Sequence, residues 1–136
     1  ATFGDSVRLL GVDAPAAVVV QPGTILTLDL IWQPLRTESR GLVRFTQLLD
    51  AGGALVAQQD SVPCAGECPS TSWLAGEYLA DEATLPLPDT LAADGYRLIT
   101  GWYDPATQTR LAATGSAGAP LPDDVVELPV QVSAGR

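Results

Sequence analysis

The sequence has 136 residues, 46% hydrophobic and 17% charged, a composition typical of one globular domain. Its net charge is −9, all seven basic residues are arginine and no basic run occurs, which argues against nucleic acid or an anionic membrane surface as partner. Because histidine and lysine are absent, histidine-dependent nucleophiles, histidine-ligated zinc, haem, Schiff bases and P-loops are excluded. We predict a non-enzymatic domain with no catalytic residue and no cofactor.

The first third of the chain predicts short β-strands separated by turns. "SVRLLGV" (6–12) and "AAVVV" (16–20) are β-rich runs, and "QPG" (21–23) is a turn signal. "TILTLDLIW" (24–32) alternates with period two, so one set of side chains is predicted to face a core. That set is Leu26, Leu28, Leu30 and Trp32.

A β-hairpin is predicted where "AGG" separates "LVRFTQLLD" (42–50) from "ALVAQQD" (54–60). The first of these runs alternates, with Val43, Phe45, Gln47 and Leu49 on one face. That face is predicted to point inward, because the opposite face is mixed. Arg44 in this run, and Arg97 further on, are expected to lie on the solvent face in weak ion pairs, as arginines in sandwich strands usually do.

The second half of the chain also predicts short strands separated by loops. "GEYLADEATLPL" (76–87) predicts a strand broken by polar residues, "PDTLAADG" (88–95) a loop, and "YRLITGWYD" (96–104) a strong strand. "VVELPVQV" (125–132) predicts an edge strand, since Pro129 has no N–H to donate to a neighbour.

These elements together predict the fold class. No stretch keeps a helical period over three turns, and eight or nine short strands are punctuated by turns, which is typical of an antiparallel β-sandwich of immunoglobulin-like or jelly-roll character. We predict a single all-β domain over residues 1–136. The absence of methionine, even at position 1, predicts that this domain is part of a longer product.

The order of several motifs is more specific than the composition. The chain reads "PGTILTLDLIW", "RFTQLLDAGGALVAQQD", "CPSTSWLAGEYLAD" and "DGYRLITGWYDPATQTRL" in succession. This series resembles the extracytoplasmic C-terminal domain of bacterial membrane glycosyltransferases of the dolichyl-phosphate-mannose mannosyltransferase type, over roughly residues 20 to 130. The sequence departs from that pattern at Gln47, where the family often has histidine, at "TQTRL" (107–111), and in having cysteines.

The resemblance implies a β-sandwich outside the cytoplasm, held at the membrane by the rest of its parent protein. Its implied partners are a glycan, or the membrane domain of its own parent chain, and it would help to position glycan or acceptor. The resemblance carries over no catalytic residue. The alternative is a free-standing carbohydrate- or protein-binding module of a secreted protein. The oligomeric state is left open.

The longest polar loop, residues 58–76, contains both cysteines. Cys64 and Cys68 are close enough to close a five-residue ring, which predicts a disulfide that staples the loop and fits an oxidising compartment. A redox pair is disfavoured because such pairs usually have two intervening residues rather than three.

Aromatic residues supply the candidate binding site. Trp73 and Glu77 lie in the same loop, and an exposed tryptophan beside hydroxyls and a carboxylate is suited to sugar stacking; the alternative is that Trp73 fills the open end of the core. Trp102 and Tyr103 must point to opposite faces of their strand, so one is expected inside and one outside, and Asp104 before proline is a turn former.

A calcium site is a further hypothesis. It would form if acidic loops met at one end of the sandwich, although their spacing matches no known calcium loop. The aspartates concerned are Asp60, Asp81, Asp104, Asp123 and Asp124.

Overall fold

Strands with alternating burial form two facing sheets in the structure, a computed structural model that describes residues 1–92 and 95–135. The predicted loop 88–95 therefore lies partly outside the described residues. Short 3₁₀ turns at Cys64–Gly66, Ser70–Ser72 and Pro122–Asp124 are the helical segments within the described part. The strands are β1 (Thr2–Phe3), β2 (Val7–Asp13), β3 (Ala17–Val20), β4 (Ile25–Pro34), β5 (Val43–Leu49), β6 (Leu55–Ser61), β7 (Leu79–Pro86), β8 (Arg97–Asp104), β9 (Thr109–Arg110), β10 (Ala113–Thr114), β11 (Val126–Glu127) and β12 (Gln131–Ala134).

The first sheet has the strand order β10–β1–β2–β4–β7 and the second has the order β11–β8–β5–β6, with β9 also paired to β8. All pairs in both sheets are antiparallel, and β5 and β6 form the predicted hairpin. The all-β antiparallel sandwich is thus confirmed. A separate pair, β12 with β3, is parallel.

The structure has more strands than the eight or nine predicted, because several are only two residues long. Such short strands are recognised by their backbone pairing with a neighbour and have no pattern of their own in the sequence. The predicted strand 125–132 is one case. It divides into β11, which pairs with β8, and β12, which pairs with β3, and Pro129 lies between the two pieces. Since Pro129 lacks an N–H, the ladder is interrupted there.

The predicted core face of β4 is confirmed. Leu26, Leu28, Leu30 and Trp32 are buried, while Ile25 and Thr27 on the opposite face are exposed. Successive side chains of a strand point to opposite faces of its sheet, so alternate side chains of β4 and β7 face the core. The resulting core contains a chain of edge-to-face aromatic pairs, from Phe3 to Trp32 to Trp102 to Trp73.

The expectation that Arg44 lies on the solvent face is wrong. Its side chain has no exposed surface, and Nε donates to Oδ2 of Asp81 at 2.8 Å. Arg44 shares the inward face of β5 with Thr46 and Leu48, so the predicted inward face was the wrong one. The other face, with Phe45 and Gln47, points outward, because Arg44 is tolerated inside only through its carboxylate partner on the opposite sheet. Arg97, by contrast, lies on the solvent face as expected and pairs with a half-exposed Glu127 at 3.4 Å.

The disulfide between Cys64 and Cys68 is confirmed, with 5.3 Å between the two Cα atoms. It closes the loop after β6. The backbone N–H of Cys64 donates to Oδ1 of Asp81, and the Cys68 carbonyl accepts the indole N–H of Trp73. The loop is therefore attached to the core at two points.

Within residues 1–92 and 95–135, no helix is long and apolar enough to cross a lipid bilayer.

Candidate functional site

Two of the predicted binding residues lie in the core. Trp73 and Trp102 have no exposed surface, and their rings meet edge to face with 5.4 Å between centroids. Neither ring can stack against a molecule in solvent, so their assignment to a binding site does not fit the structure. Trp73 is part of the hydrophobic core, which agrees with the alternative that it fills the core.

The two predicted acidic binding residues shape turns. Asp104 is 9% exposed, and its carboxylate accepts the backbone N–H of Ala106 at 3.0 Å. Glu77 accepts the backbone N–H of Leu74 at 3.0 Å across the turn before β7. Both carboxylates therefore satisfy local backbone donors, which is the turn role predicted for Asp104.

The five aspartates weighed as calcium ligands do not converge. Asp81 is buried against Arg44, Asp60 accepts the hydroxyl of Tyr103, and Asp124 accepts the backbone N–H of Ala113. No group of three or more possible ligand side chains capable of holding a metal ion occurs in the part of the chain that the structure describes.

The remaining predicted residue, Tyr103, lines a cleft on the outer face of the second sheet, which we call the outer cleft. Its two halves have volumes of about 420 Å³ each and share Gln47 and Arg110 in their walls. One half also contains Phe45, Asp60, Tyr103, Pro105 and Gln108. The other half also contains Leu49, Arg97, Ile99, Asp123 and Glu127, among others.

Strand register brings these side chains together. Phe45 lies opposite both Asp60 on β6 and Gly101 on β8, and Gln47 lies opposite Ile99. Outward positions on β5, β6 and β8 thus share one face. Gly101 has a specific role, because a Cβ atom there would lie 2.6 Å from Cζ of Phe45. The missing side chain leaves room for the Phe45 ring to lie over β8, where it is almost fully buried.

Tyr103 is held in a defined orientation. Its hydroxyl donates to Oδ2 of Asp60 at 2.8 Å, and its ring lies 6.1 Å from that of Phe45. Partial burial raises the pKa of the Tyr103 phenol, and the hydrogen bond to the Asp60 carboxylate raises it further. The phenol is therefore neutral near pH 7, and its partly exposed ring forms a fixed wall of the outer cleft.

Arg110 lies between the two halves of the outer cleft. Its guanidinium carbon is 4.5 Å from the centroid of the Phe45 ring, a cation–π arrangement. Its Nη1 also donates to the carbonyl oxygen of Asp123 at 2.9 Å. These two contacts fix the position of an otherwise exposed cation.

A second charged cluster surrounds Glu38, in the loop between β4 and β5. Its carboxylate accepts hydrogen bonds from Ser6, from the side chains of Arg36 and Arg40, and from the backbone N–H of Arg40. The bond from the Arg40 side chain contributes most to holding the pKa of Glu38 well below its usual range, while burial opposes it. These hydrogen bonds order the loop around Glu38.

The sequence prediction missed Gln47, Gln108 and Arg110 as site residues, and considered Asp60 only as a calcium ligand. Gln47 and Asp60 were visible as polar residues within strand runs. Their meeting with Tyr103 depends on β5 pairing with β8 as well as with β6, and β5–β8 pairing is not encoded in local patterns.

The fold and cleft describe an antiparallel β-sandwich domain with a polar and aromatic groove on one outer face. No known family matches the sequence, and no curated protein does so. The chain is similar to the crystal structure of the C-terminal domain of wzt, with a TM-score of 0.55 and 13% identity over 99% of this chain and 78% of that chain. At this identity the likeness shows a related β-sandwich fold and no more.

A second similarity is to Pseudomonas fluorescens alkylpurine DNA glycosylase AlkC bound to DNA containing an abasic site analog. It has a TM-score of 0.37 and 13% identity, and covers 96% of this chain and 31% of that chain, so it supports no inference. The likeness to the wzt domain supports the β-sandwich fold that the sequence resemblance implies, and it does not support the glycosyltransferase part of that resemblance.

Proposed function

We propose that this domain is a non-catalytic module that binds a saccharide in the outer cleft. The observation that carries the proposal is the orientation of Tyr103, whose hydroxyl is held by Asp60 so that its ring stands beside Gln47, Gln108 and Arg110. These groups line an open groove on the outside of the sandwich, away from its core.

The chemistry of this groove matches that of a sugar. A pyranose ring has apolar C–H faces that pack on an aromatic ring, and hydroxyls that both donate and accept hydrogen bonds. Tyr103 offers the ring. Gln47 and Gln108 offer amides that can donate and accept, and Asp60 offers carboxylate lone pairs. A few directional polar groups around an apolar surface are what fixes the orientation of a ligand in a binding site.

The proposal assigns no chemical step to the domain. Glycoside hydrolysis would need two carboxylates flanking the scissile bond, one of them free to take a proton. In the outer cleft, Asp60 accepts the Tyr103 hydroxyl and Glu127 faces Arg97. Holding a glycan, rather than cutting it, is the simpler use of this arrangement.

The setting we propose is extracytoplasmic. The Cys64–Cys68 disulfide fits an oxidising compartment, and the sequence resemblance suggests attachment to a membrane glycosyltransferase whose glycan or acceptor the domain would help to position. The alternative, a binding module of a secreted protein, uses the same cleft. Purification of the full-length gene product from membranes or from culture medium separates the two settings.

The experiment that tests saccharide binding is a screen of the domain on an array of bacterial oligosaccharides, followed by titration calorimetry of the hits. Tyr103→Ala is expected to weaken binding at least tenfold, about 1.4 kcal/mol, because it removes the stacking wall. Tyr103→Phe keeps the ring and loses only the hydrogen bond to Asp60, so its saccharide affinity should fall less than that of Tyr103→Ala.

Tyr78→Ala is the matched control, because Tyr78 is exposed but lies beside β7 of the other sheet. It should bind saccharide as the unaltered domain does. If no oligosaccharide binds, or if Tyr78→Ala and Tyr103→Ala weaken binding equally, the outer cleft is not a saccharide site.

A further inference from the structure

Arg110 is placed in the outer cleft without a carboxylate partner. Its guanidinium carbon lies over the Phe45 ring, and the carbonyl oxygen of Asp123 accepts one N–H. Within residues 1–92 and 95–135, four other arginines do form ion pairs with carboxylates, and Arg110 does not. Those four are Arg36, Arg40, Arg44 and Arg97.

On the basis of the proposed function, we propose that Arg110 binds the anionic group of an acidic saccharide. A guanidinium carries five N–H donors in one plane, and it binds carboxylate or phosphate oxygens through two parallel hydrogen bonds. Here one N–H donates to the carbonyl oxygen of Asp123 and the guanidinium carbon lies over the Phe45 ring. The remaining donors are thus located where the two halves of the cleft meet.

Pre-positioning makes Arg110 suited to this role. A long arginine side chain normally loses rotamer freedom when it binds a ligand, and that loss weakens binding. The contacts with Phe45 and Asp123 have already restricted Arg110 in the unbound domain. Arginine is also less strongly hydrated than lysine, so exchanging its water for anionic oxygens costs less.

Carboxylates near Arg110 offset part of its positive charge and so weaken its attraction for an anionic ligand. Glu127 faces Arg97, and Asp60 accepts the hydroxyl of Tyr103. The carboxylate of Asp123 also lines the cleft and disfavours an anion there. Asp123→Asn removes this negative charge, and asparagine tolerates the backbone φ of 59° at this position. This variant should therefore bind acidic saccharides more tightly.

The chain contains a matched control for Arg110. Arg8 likewise forms no ion pair in the described structure, but it lies on β2 of the first sheet, where Nη2 donates to Oε1 of Gln33 at 2.5 Å. Arg8→Gln and Arg110→Gln change the net charge equally. A difference in saccharide affinity between the two variants is therefore due to where the charge lies, and not to the change in net charge.

The test uses an array with neutral oligosaccharides beside uronic-acid, sialylated, sulfated and phosphorylated ones, and calorimetric titration of representative hits at two salt concentrations. Acidic glycans are expected to bind preferentially, to weaken as salt rises, and to lose at least tenfold in affinity in Arg110→Gln but not in Arg8→Gln. Arg110→Lys should recover part of the loss, and melting temperatures show whether each variant is folded. The preferred anionic group separates carboxylate from phosphate and sulfate ligands.

Two other outcomes would overturn one or both of the proposals, and they can be told apart. If neutral and acidic glycans bind equally and Arg110→Gln leaves binding unchanged, the acidic-ligand inference is overturned while saccharide binding stands. If no glycan of either group binds, both proposals are overturned.

Discussion

Arg44 and Asp81 join the two sheets of the sandwich through an ion pair that has no contact with solvent. Arg44 comes from β5 of the second sheet and Asp81 from β7 of the first, with Nε donating to Oδ2 at 2.8 Å and Nη2 to Oδ1 at 3.3 Å. The remaining donors of Arg44 reach Thr46, Gln59 and the carbonyl oxygen of Glu82. Asp81 also accepts the backbone N–H of Cys64, so the pair connects both sheets to the disulfide loop.

We expect Arg44→Met to destabilise the domain by about 3–5 kcal/mol, because it leaves the Asp81 charge buried without its cation. Adding Asp81→Leu should restore part of the loss, since neither charge of this pair then remains buried. Urea unfolding measures each free energy. Arg97→Met, which breaks the exposed pair with Glu127, is the control and should cost at most about 1 kcal/mol. A loss for Arg44→Met no larger than that of the control would contradict this account.

Gly101 connects the stability of the second sheet to the outer cleft. Gly101→Ala would place a Cβ 2.6 Å from Cζ of Phe45 and 3.0 Å from the carbonyl oxygen of Asp124. We expect a destabilisation of about 1–3 kcal/mol from overpacking, together with weaker saccharide binding as the Phe45 ring and Arg110 move.

The control for this glycine is Gly11→Ala in β2, where no neighbouring atom lies within 4 Å of the added Cβ. It should leave saccharide binding unchanged. Thermal melting and calorimetric titration of both variants give the comparison. Wild-type binding by Gly101→Ala would show that the Phe45 ring does not position the cleft.

Substitution of Trp73 tests whether this residue stabilises the core or binds a ligand. Trp73→Ala should destabilise the domain by about 3–5 kcal/mol, because it removes a fully buried ring that packs on Trp102 and donates to the Cys68 carbonyl. At a temperature where the variant is still folded, its saccharide affinity should match that of the unaltered domain. If Trp73→Ala keeps its stability but no longer binds saccharide, Trp73 is a binding residue and this account is wrong.

Glu38 should make the stability of the domain depend on acid pH. Its pKa in the folded protein lies well below the usual 4.5, chiefly because of the hydrogen bond from the Arg40 side chain. A carboxyl with a lowered folded pKa stabilises the native state above its unfolded pKa, and that contribution is lost as pH falls toward the folded value. We therefore expect the contribution to be complete above about pH 5.5 and to decline progressively below 4.5.

Melting temperatures measured from pH 7 to pH 3 test this dependence. Glu38→Gln should be less stable at neutral pH, and the difference from the unaltered domain should shrink as the pH falls. Glu82→Gln removes an exposed carboxyl and corrects for the loss of one charge. A constant difference between Glu38→Gln and the unaltered domain across this range would rule out the linkage.

Local patterns predicted much of the architecture. The alternation in 24–32 predicted the buried face of β4, and two runs around "AGG" predicted the β5–β6 hairpin. Cysteine spacing predicted the disulfide. Each of these depends on neighbours in sequence, through the two-residue period of a strand or the short reach of a turn or a small ring. Of the predicted binding residues, Tyr103 alone lies in the outer cleft.

What the sequence by itself determined was therefore an all-β sandwich, its hairpin, its stapled loop and the absence of histidine and lysine chemistry. The tertiary structure decided which face of β5 points inward, that Arg44 finds Asp81 across the core, and that Tyr103, Asp60, Gln47 and Arg110 meet. The physical reason is that these outcomes depend on contacts between strands distant in sequence. A buried arginine is tolerated only where a facing carboxylate is available, and no local pattern reports what lies on the opposite sheet.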